Sequence, residues 1–213
     1  VINNAGAGFT VTSLAGLTGT QSARLYNYSQ PAGRTDQLIS GPIDLSVVDT
    51  SLNEIVTLSF RYSYRKRATE NDEWLRLKIR SACDGNWATR KTIHGIFLSD
   101  LVQSSSWTPA TDEDWVTVHV TNITPTYLTA DFQFLFEFIG DGGNNIYIDD
   151  INIYKGGPSD DIVAGITDAD ENGFISLYPN PANKELNVLF NLVASEAVDF
   201  IVTDLNGKVV SSL

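Results

Sequence analysis

Apolar and polar residues alternate along four stretches of the chain, residues 54–67, 73–81, 114–123 and 131–140. The apolar residues at every second position are Val56, Leu58, Phe60, Tyr62 and Tyr64; Leu75, Leu77 and Ile79; Val116, Val118 and Val120; and Phe132, Phe134, Phe136 and Phe138. Successive side chains of a β-strand point to opposite faces of the sheet, so this period of two predicts strands with one buried face. The residues between them are expected to face outward.

Turn-forming residues separate the alternating stretches, as in the segments QPAGRTD, RATENDE, ACDGNW and IGDGGNN. The pattern shows no sustained helical period. Many strands separated by turns are typical of an antiparallel sandwich. We therefore predict an all-β fold, with an antiparallel jelly-roll β-sandwich over residues 1–156. A Gly- and Asp-rich linker is predicted over 157–173, and a short, partial Ig-like β segment over 174–213.

The last strand of the predicted sandwich contains two adjacent aspartates, Asp149 and Asp150. Strict alternation assigns Tyr147, Ile151 and Ile153 to the face of Asp149, and assigns Asp150 to the opposite face. One carboxylate is then expected to point toward the core. An ionised carboxylate in an apolar environment is very costly unless a partner compensates its charge. We therefore expect a bound ion or a set of hydrogen bonds at this position.

The chain is acidic, since its 213 residues include 14 Lys and Arg and 26 Asp and Glu, for a net charge of −12. This balance disfavours a nucleic-acid-binding protein, which normally carries a basic footprint. No apolar run approaches the roughly 20 residues that span a membrane. The single cysteine, Cys83, excludes a disulfide framework within these residues. The chain begins at Val1 without any methionine, so we expect a fragment or a processed product.

The end of the chain carries the sequence LYPNPANKELNV at 177–188 and VTDLNGKVV at 202–210. Asn206 and Gly207 form a dipeptide that favours a two-residue β-hairpin. These motifs resemble the start of the C-terminal sorting domain of the type IX secretion system of Bacteroidetes. The resemblance implies that the type IX machinery exports the protein, which is then secreted or held at the cell surface. The family's domain continues through further strands, so we expect this copy to be truncated.

Residues 1–156 resemble a second family, the choice-of-anchor J jelly-roll domains, which are relatives of MAM and cleaved-adhesin domains. The resemblance is carried by LSFRYSY at 58–64 and above all by NNIYIDDINIY at 144–154. It implies a non-catalytic accessory module that follows the catalytic domain of a secreted pappalysin-like zinc metallopeptidase and supports that domain, its substrate binding or surface binding. The His-Glu-x-x-His motif is absent from this chain, so we expect no enzyme activity from it. The alternative is a stand-alone carbohydrate-binding or adhesin module.

The adjacent aspartates also gain an interpretation from this resemblance. In related jelly rolls an aspartate of the last strand binds a structural calcium ion, and Asp149 occupies that motif position. Ca²⁺ takes six to eight oxygen ligands at roughly 2.3–2.6 Å. The predicted set is Asp149 with Asp36 from an early loop, where Asn27 is a further possible ligand. Asp150 is expected either to face solvent or to act as a secondary ligand. The alternative is that Asp149 accepts hydrogen bonds from backbone amides or pairs with an arginine such as Arg24 or Arg34.

Four tryptophans require separate interpretations. Trp74 and Trp115 lie in alternating strands and are predicted to be core residues, whereas Trp87 and Trp107 lie in turn-like segments. A loop tryptophan near an arginine, here Arg90, can stack on a sugar ring or a peptide side chain. Trp87, Trp107 and Arg90 are therefore candidate ligand-binding residues. The alternative is that each tryptophan closes one end of the sandwich.

Five outward-facing basic residues form a further candidate surface: Arg61, Arg65, Arg76, Lys78 and Arg80. They form one basic stripe if their two strands pair. Such a stripe is suited to an acidic polysaccharide or to an acidic neighbouring domain. The alternative is an ordinary solvated strand face.

Overall fold

The computed structural model describes the chain in six ranges: 8–49, 55–159, 173–178, 187–192, 201–203 and 209–212. The chain divides into two compact units, Val1–Ala164 and Gly165–Leu213. This division falls inside the predicted linker 157–173, most of which lies outside the described residues.

Among its described residues, the first unit has nine strands in two antiparallel sheets. They are β1 (Phe9–Thr12), β2 (Ser22–Leu25), β3 (Thr35–Ile39), β4 (Val56–Tyr64), β5 (Trp74–Arg80), β6 (Ala88–His94), β7 (Val116–Val120), β8 (Gln133–Ile139) and β9 (Ile146–Lys155). Sheet I has the order β1-β2-β9-β4-β7, and sheet II has the order β3-β8-β5-β6. The predicted all-β antiparallel sandwich is confirmed.

The core lies between the two sheets and includes most of the residues that the alternation predicts to face inward, together with others such as Leu25, Leu98 and Ile146. Along β4, β5 and β8 all of these predicted inward residues are buried. The rings of Phe60 in sheet I and Phe136 in sheet II meet edge to face, with 4.7 Å between their centroids. Burying a side chain of this size contributes about 1.5–3 kcal/mol. The exception is Val116, which is 47% exposed at the start of the edge strand β7.

A β-bulge interrupts the alternation of β9. Asp149 pairs with Arg61 of β4, but the next regular pair joins Asn152 to Ser59. Two residues of β9, Asp150 and Ile151, therefore lie opposite a single residue of β4, Phe60. The backbone of Asp150 has φ of 47°, in the left-handed region that aspartate enters more readily than most residues.

The bulge reverses which face the following side chains occupy. Ile148 pairs with Tyr62 before the bulge, and Ile153 pairs with Leu58 after it, so both isoleucines share the core face. Asp149 lies on the opposite face. The prediction that Asp149 shares a face with Ile153 is therefore wrong. The expectation that a carboxylate points into the core is wrong as well. The extra residue of the bulge places Ile148 and Ile153 on the core face while Asp149 remains on the opposite face.

Loops of the first unit meet at one end of the sandwich, and Asn145 joins three of them. Its Oδ1 accepts hydrogen bonds from the backbone N–H groups of Asn27 and Tyr28, each at 3.1 Å. Its Nδ2 donates to Ser106 Oγ at 2.9 Å and to the carbonyl of Trp107 at 3.1 Å. The side chain is 1% exposed, so it acts as a buried connector between the β2–β3, β6–β7 and β8–β9 loops.

Asn144 extends the same network. Its Oδ1 accepts the backbone N–H of Trp107 at 2.7 Å, and its Nδ2 donates to the carbonyls of Gln103 and Ser105 at 2.9 and 2.8 Å. The Asn-Asn pair of the family-like ending is therefore the structural anchor of the long β6–β7 loop. In the sequence this pair is only part of a family-like motif, and its role follows from the loops that it contacts.

The second unit contains two antiparallel strand pairs among its described residues. β10 (Gly173–Tyr178) pairs with β11 (Asn187–Leu192), and β12 (Ile201–Thr203) pairs with β13 (Val209–Ser212). The predicted hairpin strands on either side of Asn206 and Gly207 are confirmed, while those two residues lie outside the described ranges.

Helical structure in the described ranges includes three short 3-10 segments, Gly95–Phe97, Asp112–Asp114 and Pro125–Tyr127. None of the described helices is long and apolar enough to cross a membrane.

Candidate functional site

The outer face of sheet II carries a row of polar and aromatic side chains. Because Leu75, Leu77 and Ile79 point into the core, the alternating residues of β5 point outward. We call this surface the sheet II outer face and define it by Trp74, Arg76, Lys78 and Arg80 on β5, Gln133 and Glu137 on β8, Gln37 on β3, His94 on β6, and the adjoining Trp87.

Glu137 is the centre of this face. The amine of Lys78 lies 2.8 Å from its carboxylate, the guanidinium of Arg76 lies 3.3 Å away, and Gln37 Nε2 donates to it at 3.2 Å. Burial raises the pKa of Glu137, but the hydrogen bond and charge of Lys78, with those from Gln37 and Arg76, together hold it below its ordinary value. The network therefore keeps Glu137 ionised and fixes the long side chains around it.

Arg80 and Trp87 form one end of the face. Arg80 Nε and Nη2 donate to Gln133 Oε1 at 3.0 and 2.7 Å, and Arg80 Cζ lies 4.4 Å from the centroid of the Trp87 ring. Gln133 in turn donates to the carbonyl of Ser40 at 2.7 Å. Trp87 is half-buried. Its indole is therefore held by a fixed guanidinium and still presents part of its surface to solvent.

Trp74 forms the other end of the face. Its ring stacks on that of His94 with 4.0 Å between centroids and an interplanar angle of 11°, and Arg76 Cζ lies 4.8 Å from its centroid. Trp74 Nε1 donates to the carboxylate of Asp72 at 3.3 Å. The hydrogen bond with His94 is the main reason that the pKa of Asp72 lies below its ordinary value. Trp74 is half-buried on the outer face, so its prediction as a core residue is wrong.

The period-two pattern already indicates that the Trp74 side chain faces outward. Trp74 occupies the same alternating positions as Arg76, Lys78 and Arg80, which were predicted to face outward. Trp115, also predicted as a core residue, is likewise half-buried. The large apolar area of an indole favours a core position. At Trp74, however, the alternation of side chains along β5 places the indole on the outer face.

The three predicted ligand-binding residues, Trp87, Trp107 and Arg90, lie in different environments. Trp107 is 4% exposed, and its Nε1 donates to Ser63 Oγ at 3.1 Å. The guanidinium of Arg65 lies over its ring, with Cζ 3.9 Å from the centroid. These contacts agree with the alternative in which Trp107 closes one end of the sandwich. Of the predicted pair of tryptophans, only Trp87 reaches solvent to a useful extent.

Arg90 does not join Trp87. Its guanidinium carbon lies 4.5 Å from the ring centroid of Tyr127, and its carbonyl accepts Asn122 Nδ2 at 3.4 Å. The arginine that contacts Trp87 is Arg80. Sequence proximity to Trp87 favoured Arg90, but the pairing of β5 with β6 brings the end of β5 to this tryptophan instead.

Asp149 and Asp150 lie beside the β1–β2 loop. The Oδ2 of Asp149 accepts the backbone N–H of Leu17 at 2.7 Å, and its Oδ1 accepts that of Asp150 at 2.9 Å. Burial raises the pKa of Asp149 against these hydrogen bonds. The carboxylate of Asp150 accepts the hydroxyl of Thr18, and its Oδ2 lies 3.8 Å from Arg61 Nη1. The amide contacts of Asp149 match the alternative in which it accepts hydrogen bonds from backbone N–H groups. The arginine contact differs from that alternative, because it joins Asp150 to Arg61 rather than Asp149 to Arg24 or Arg34.

Asp36 lies apart from this pair. It belongs to β3 of sheet II, is 3% exposed, and accepts Arg34 Nη2 at 2.9 and 3.2 Å. The structure therefore brings Asp149 and Asp150 together and leaves Asp36 with Arg34. Over the described ranges, no group of three or more His, Cys, Asp or Glu side chains is arranged to hold a metal ion. Calcium binding stays a prediction, with Asp149 and Asp150 as its ligands that lie together.

The five basic residues of the predicted stripe lie on different sheets. Arg61 and Arg65 belong to β4 or directly follow it, and they contact Asp150 and Asp114 at 3.8 and 2.9 Å. The other three belong to β5. Because β4 and β5 do not pair, the prediction of a single stripe is wrong. The basic residues of β5 form their own surface on sheet II.

A cleft of about 360 Å³ lies between the edge strands β6 and β7. Phe97, which is 75% exposed, and Val116 line it together with Lys91 and Thr92. Exposed apolar side chains of this kind are typical of contact surfaces. The cleft thus places an exposed aromatic side chain, that of Phe97, away from the sheet II outer face.

Residues 176–213 match the family described as secretion system C-terminal sorting domain. A type IX sorting domain implies that the protein is secreted or attached to the cell surface, which confirms the predicted localisation. No match was found among curated proteins.

Solved structures with a similar sandwich include three bacterial modules. CBM27-1 of Caldicellulosiruptor saccharolyticus, in complex with mannohexaose, is 12% identical, with 67% of this chain and 80% of that chain covered and a TM-score of 0.43. The CBM22-1 xylan-binding domain from Paenibacillus barcinonensis is 18% identical, with 72% and 84% covered and a TM-score of 0.38. The K3 cleaved adhesin domain of Lys-gingipain from Porphyromonas gingivalis is 15% identical, with 63% and 74% covered and a TM-score of 0.41. The likeness is one of fold alone.

Proposed function

We propose that the first unit is a non-catalytic carbohydrate-binding module of a secreted protein, and that the sheet II outer face holds the glycan. One observation carries this proposal. Two half-buried indoles, Trp74 and Trp87, lie at opposite ends of β5 with fixed polar donors between them. The six steps from Trp74 to Arg80 cover about 20 Å at the rise of a β-strand, which suits an extended oligosaccharide.

The chemistry of the face matches that of a sugar chain. The apolar faces of pyranose rings stack on aromatic rings, and their hydroxyl groups hydrogen-bond to planar groups such as guanidinium and amide. Arg80 is already fixed by Gln133, and Arg76 and Lys78 are fixed by Glu137. Side chains ordered before binding lose less conformational entropy when the ligand arrives.

The narrower role of supporting a neighbouring zinc metallopeptidase domain stays a prediction. It rests on the resemblance of residues 58–64 and 144–154 to accessory domains of such enzymes. A His-Glu-x-x-His segment in the same polypeptide, with stabilisation of that domain by this one, is the evidence that it requires. A structural calcium at Asp149 and Asp150 belongs to the same prediction.

Binding of the full chain to immobilised plant, algal and bacterial polysaccharides tests the proposed function. We expect at least one polysaccharide to bind, and we expect Trp87→Ala and Trp74→Ala each to weaken binding about tenfold or more, as loss of a central aromatic contact does. Tyr26→Ala is the matched control, because Tyr26 is a partly exposed aromatic residue next to β2 of the opposite sheet, with Arg24 over its ring at 5.1 Å. Binding that survives both tryptophan variants but is lost in Phe97→Ala assigns the ligand to the β6–β7 cleft and overturns the site. No binding to any polysaccharide overturns the function.

A further inference from the structure

We infer that the glycan bound by the sheet II outer face is acidic, a polysaccharide whose sugar units carry carboxylate groups. This inference rests on the proposed function. The outward positions of β5 and β8 include three cationic side chains and one acidic side chain, whereas the whole chain carries a net charge of −12. A local excess of positive charge on an acidic protein is a feature that a neutral ligand does not require.

The excess charge is concentrated at Arg80. Arg76 and Lys78 share the carboxylate of Glu137, so their charges are compensated in part. The hydrogen bonds of Arg80 go to the neutral amide of Gln133 instead. Since Nε and Nη2 of Arg80 are used, the guanidinium still has N–H donors to offer. Arginine binds carboxylates well because its planar donors match their geometry.

The position of Trp87 makes this a sugar site as well as a charged site. The indole lies against the Arg80 guanidinium, with 4.4 Å from Cζ to the ring centroid. A uronate ring that packs on the exposed part of the indole brings its carboxylate within reach of the same guanidinium. A uronate complements this site, because its sugar ring packs on the indole and its carboxylate pairs with the guanidinium.

The opposite end of the face has a different character. Asp72 contacts both Trp74 and His94 there, at 3.3 and 3.0 Å, and places an acidic group beside the indole. Carboxylates in binding sites accept hydrogen bonds from sugar hydroxyl groups but repel a second carboxylate. We therefore assign the acid-binding position to the Arg80–Trp87 end and a hydroxyl-binding position to the Trp74–Asp72 end.

Matched pairs of polysaccharides test this inference on the full chain. The probes are polygalacturonate, alginate and glucuronoxylan, each compared with the same polymer after its carboxylates are methyl-esterified. Affinity electrophoresis or calorimetry gives the dissociation constants. We expect at least one acidic probe to bind about tenfold or more tightly than its esterified form, and we expect added salt to weaken that binding.

Arg80→Gln is the decisive variant, because it removes the charge while keeping a hydrogen-bonding side chain. We expect it to weaken acidic-probe binding about tenfold and to remove most of the preference over the esterified form. Arg24→Gln is its matched control, an arginine stacked on an aromatic ring of the opposite sheet, and is expected to bind like wild type. Circular dichroism confirms that both variants are folded.

The possible outcomes separate this inference from the function beneath it. Equal binding of acidic and esterified polymers, lost in Trp87→Ala, overturns the acidic ligand and leaves the carbohydrate-binding function in place. Binding of poly-glutamate as tight as that of the uronates shows that the face responds to charge alone and assigns it to an acidic protein partner. Failure of all probes, acidic and neutral, overturns both proposals.

Discussion

The guanidinium of Arg80 covers one face of the Trp87 indole, with Cζ 4.4 Å from the ring centroid, while Nη2 of the same guanidinium donates to Gln133 at 2.7 Å. A cation over an indole at a partly exposed site is worth about 0.5–1 kcal/mol. The larger consequence is positional. The hydrogen bond fixes the arginine, and the arginine fixes the indole, so an aromatic surface and a positive charge stand side by side at the end of β5.

Gly143→Ala is predicted to destabilise the first unit. A Cβ at this position would lie 1.9 Å from Glu73 Oε1 and 2.6 Å from the hydroxyl of Tyr64. Glu73 is 1% exposed and is held by Tyr64 at 2.5 Å, so it has little room to move. We expect a loss of about 1–3 kcal/mol, measured by urea denaturation. Gly41→Ala is the control, since its Cβ meets nothing within 4 Å. Equal stability of the two variants would show that Glu73 yields freely.

Asn145→Ala is predicted to loosen the loops at one end of the sandwich. The change removes the acceptor of two backbone N–H groups and the donor to the carbonyl of Trp107. Each buried group left without a partner costs about 1–3 kcal/mol, so we expect a large fall in the melting temperature. Asn152→Ala is the comparison, because Asn152 Nδ2 makes one hydrogen bond, to the carbonyl of Asp150 at 3.0 Å. A loss no greater than that of Asn152→Ala would contradict the connector role.

Glu137 is predicted to make stability depend on acid pH. Burial raises its pKa, but the contacts with Lys78 and its neighbours outweigh burial, and the folded pKa lies below the ordinary 4.5. The folded state therefore binds this proton less readily than the unfolded state. The resulting stabilisation is present above the ordinary value and is lost as the pH falls through the folded pKa. We expect Glu137→Gln to unfold with a weaker dependence on pH in this window. An unchanged slope would remove Glu137 from the acid response.

Calcium is predicted to raise the melting temperature of wild type, and EDTA is predicted to reverse the change. Burial already disfavours the ionised form of Asp149, and a bound cation would compensate that charge. Asp149→Asn is expected to abolish the response. Asp36→Asn is expected to keep it, because Asp36 is paired with Arg34 at 2.9 Å. A wild-type melting temperature that is unaffected by calcium would show that hydrogen bonds from Leu17 and Asp150 stabilise Asp149 alone.

Much of the fold followed from the alternation of apolar residues, for a physical reason. A strand with one buried face must repeat its apolar residues with a period of two, so the pattern reports both strand and core. Phe132, Phe134, Phe136 and Phe138 were assigned to one buried face on this basis, and all are 8% exposed or less. The pattern at Trp74 was equally informative and was overruled by a general preference of tryptophan for the interior.

The bulge at Asp150 was not predictable from the pattern alone. A residue of β9 is extra only in relation to the pairing with β4, in which Asp149 pairs with Arg61 and Asn152 pairs with Ser59. A sequence read by itself contains the alternation of one strand but not the register between two. The supposed inward carboxylate was a consequence of applying strict alternation across the bulge.

The composition of the candidate site depended on strand order, which the pattern does not contain. Alternation gives the face of each side chain within a strand, but it does not say which strands are neighbours. Arg61 and Arg76 were therefore placed on one surface, although β4 and β5 belong to different sheets. Proximity in sequence favours Arg90 as the partner of Trp87, whereas strand pairing places the guanidinium of Arg80 over the Trp87 ring.

The four tryptophan indole N–H signals in a ¹H–¹⁵N correlation spectrum test the central claim most directly. Trp74 and Trp87 lie on the sheet II outer face, whereas the indole of Trp107 is buried and donates to Ser63. During titration of the full chain with a bound oligosaccharide, we predict that the signals of Trp87 and Trp74 shift while that of Trp107 stays in place. Shifts confined to Trp107 or Trp115, with Trp74 and Trp87 unmoved, would contradict the assignment of the glycan to this face.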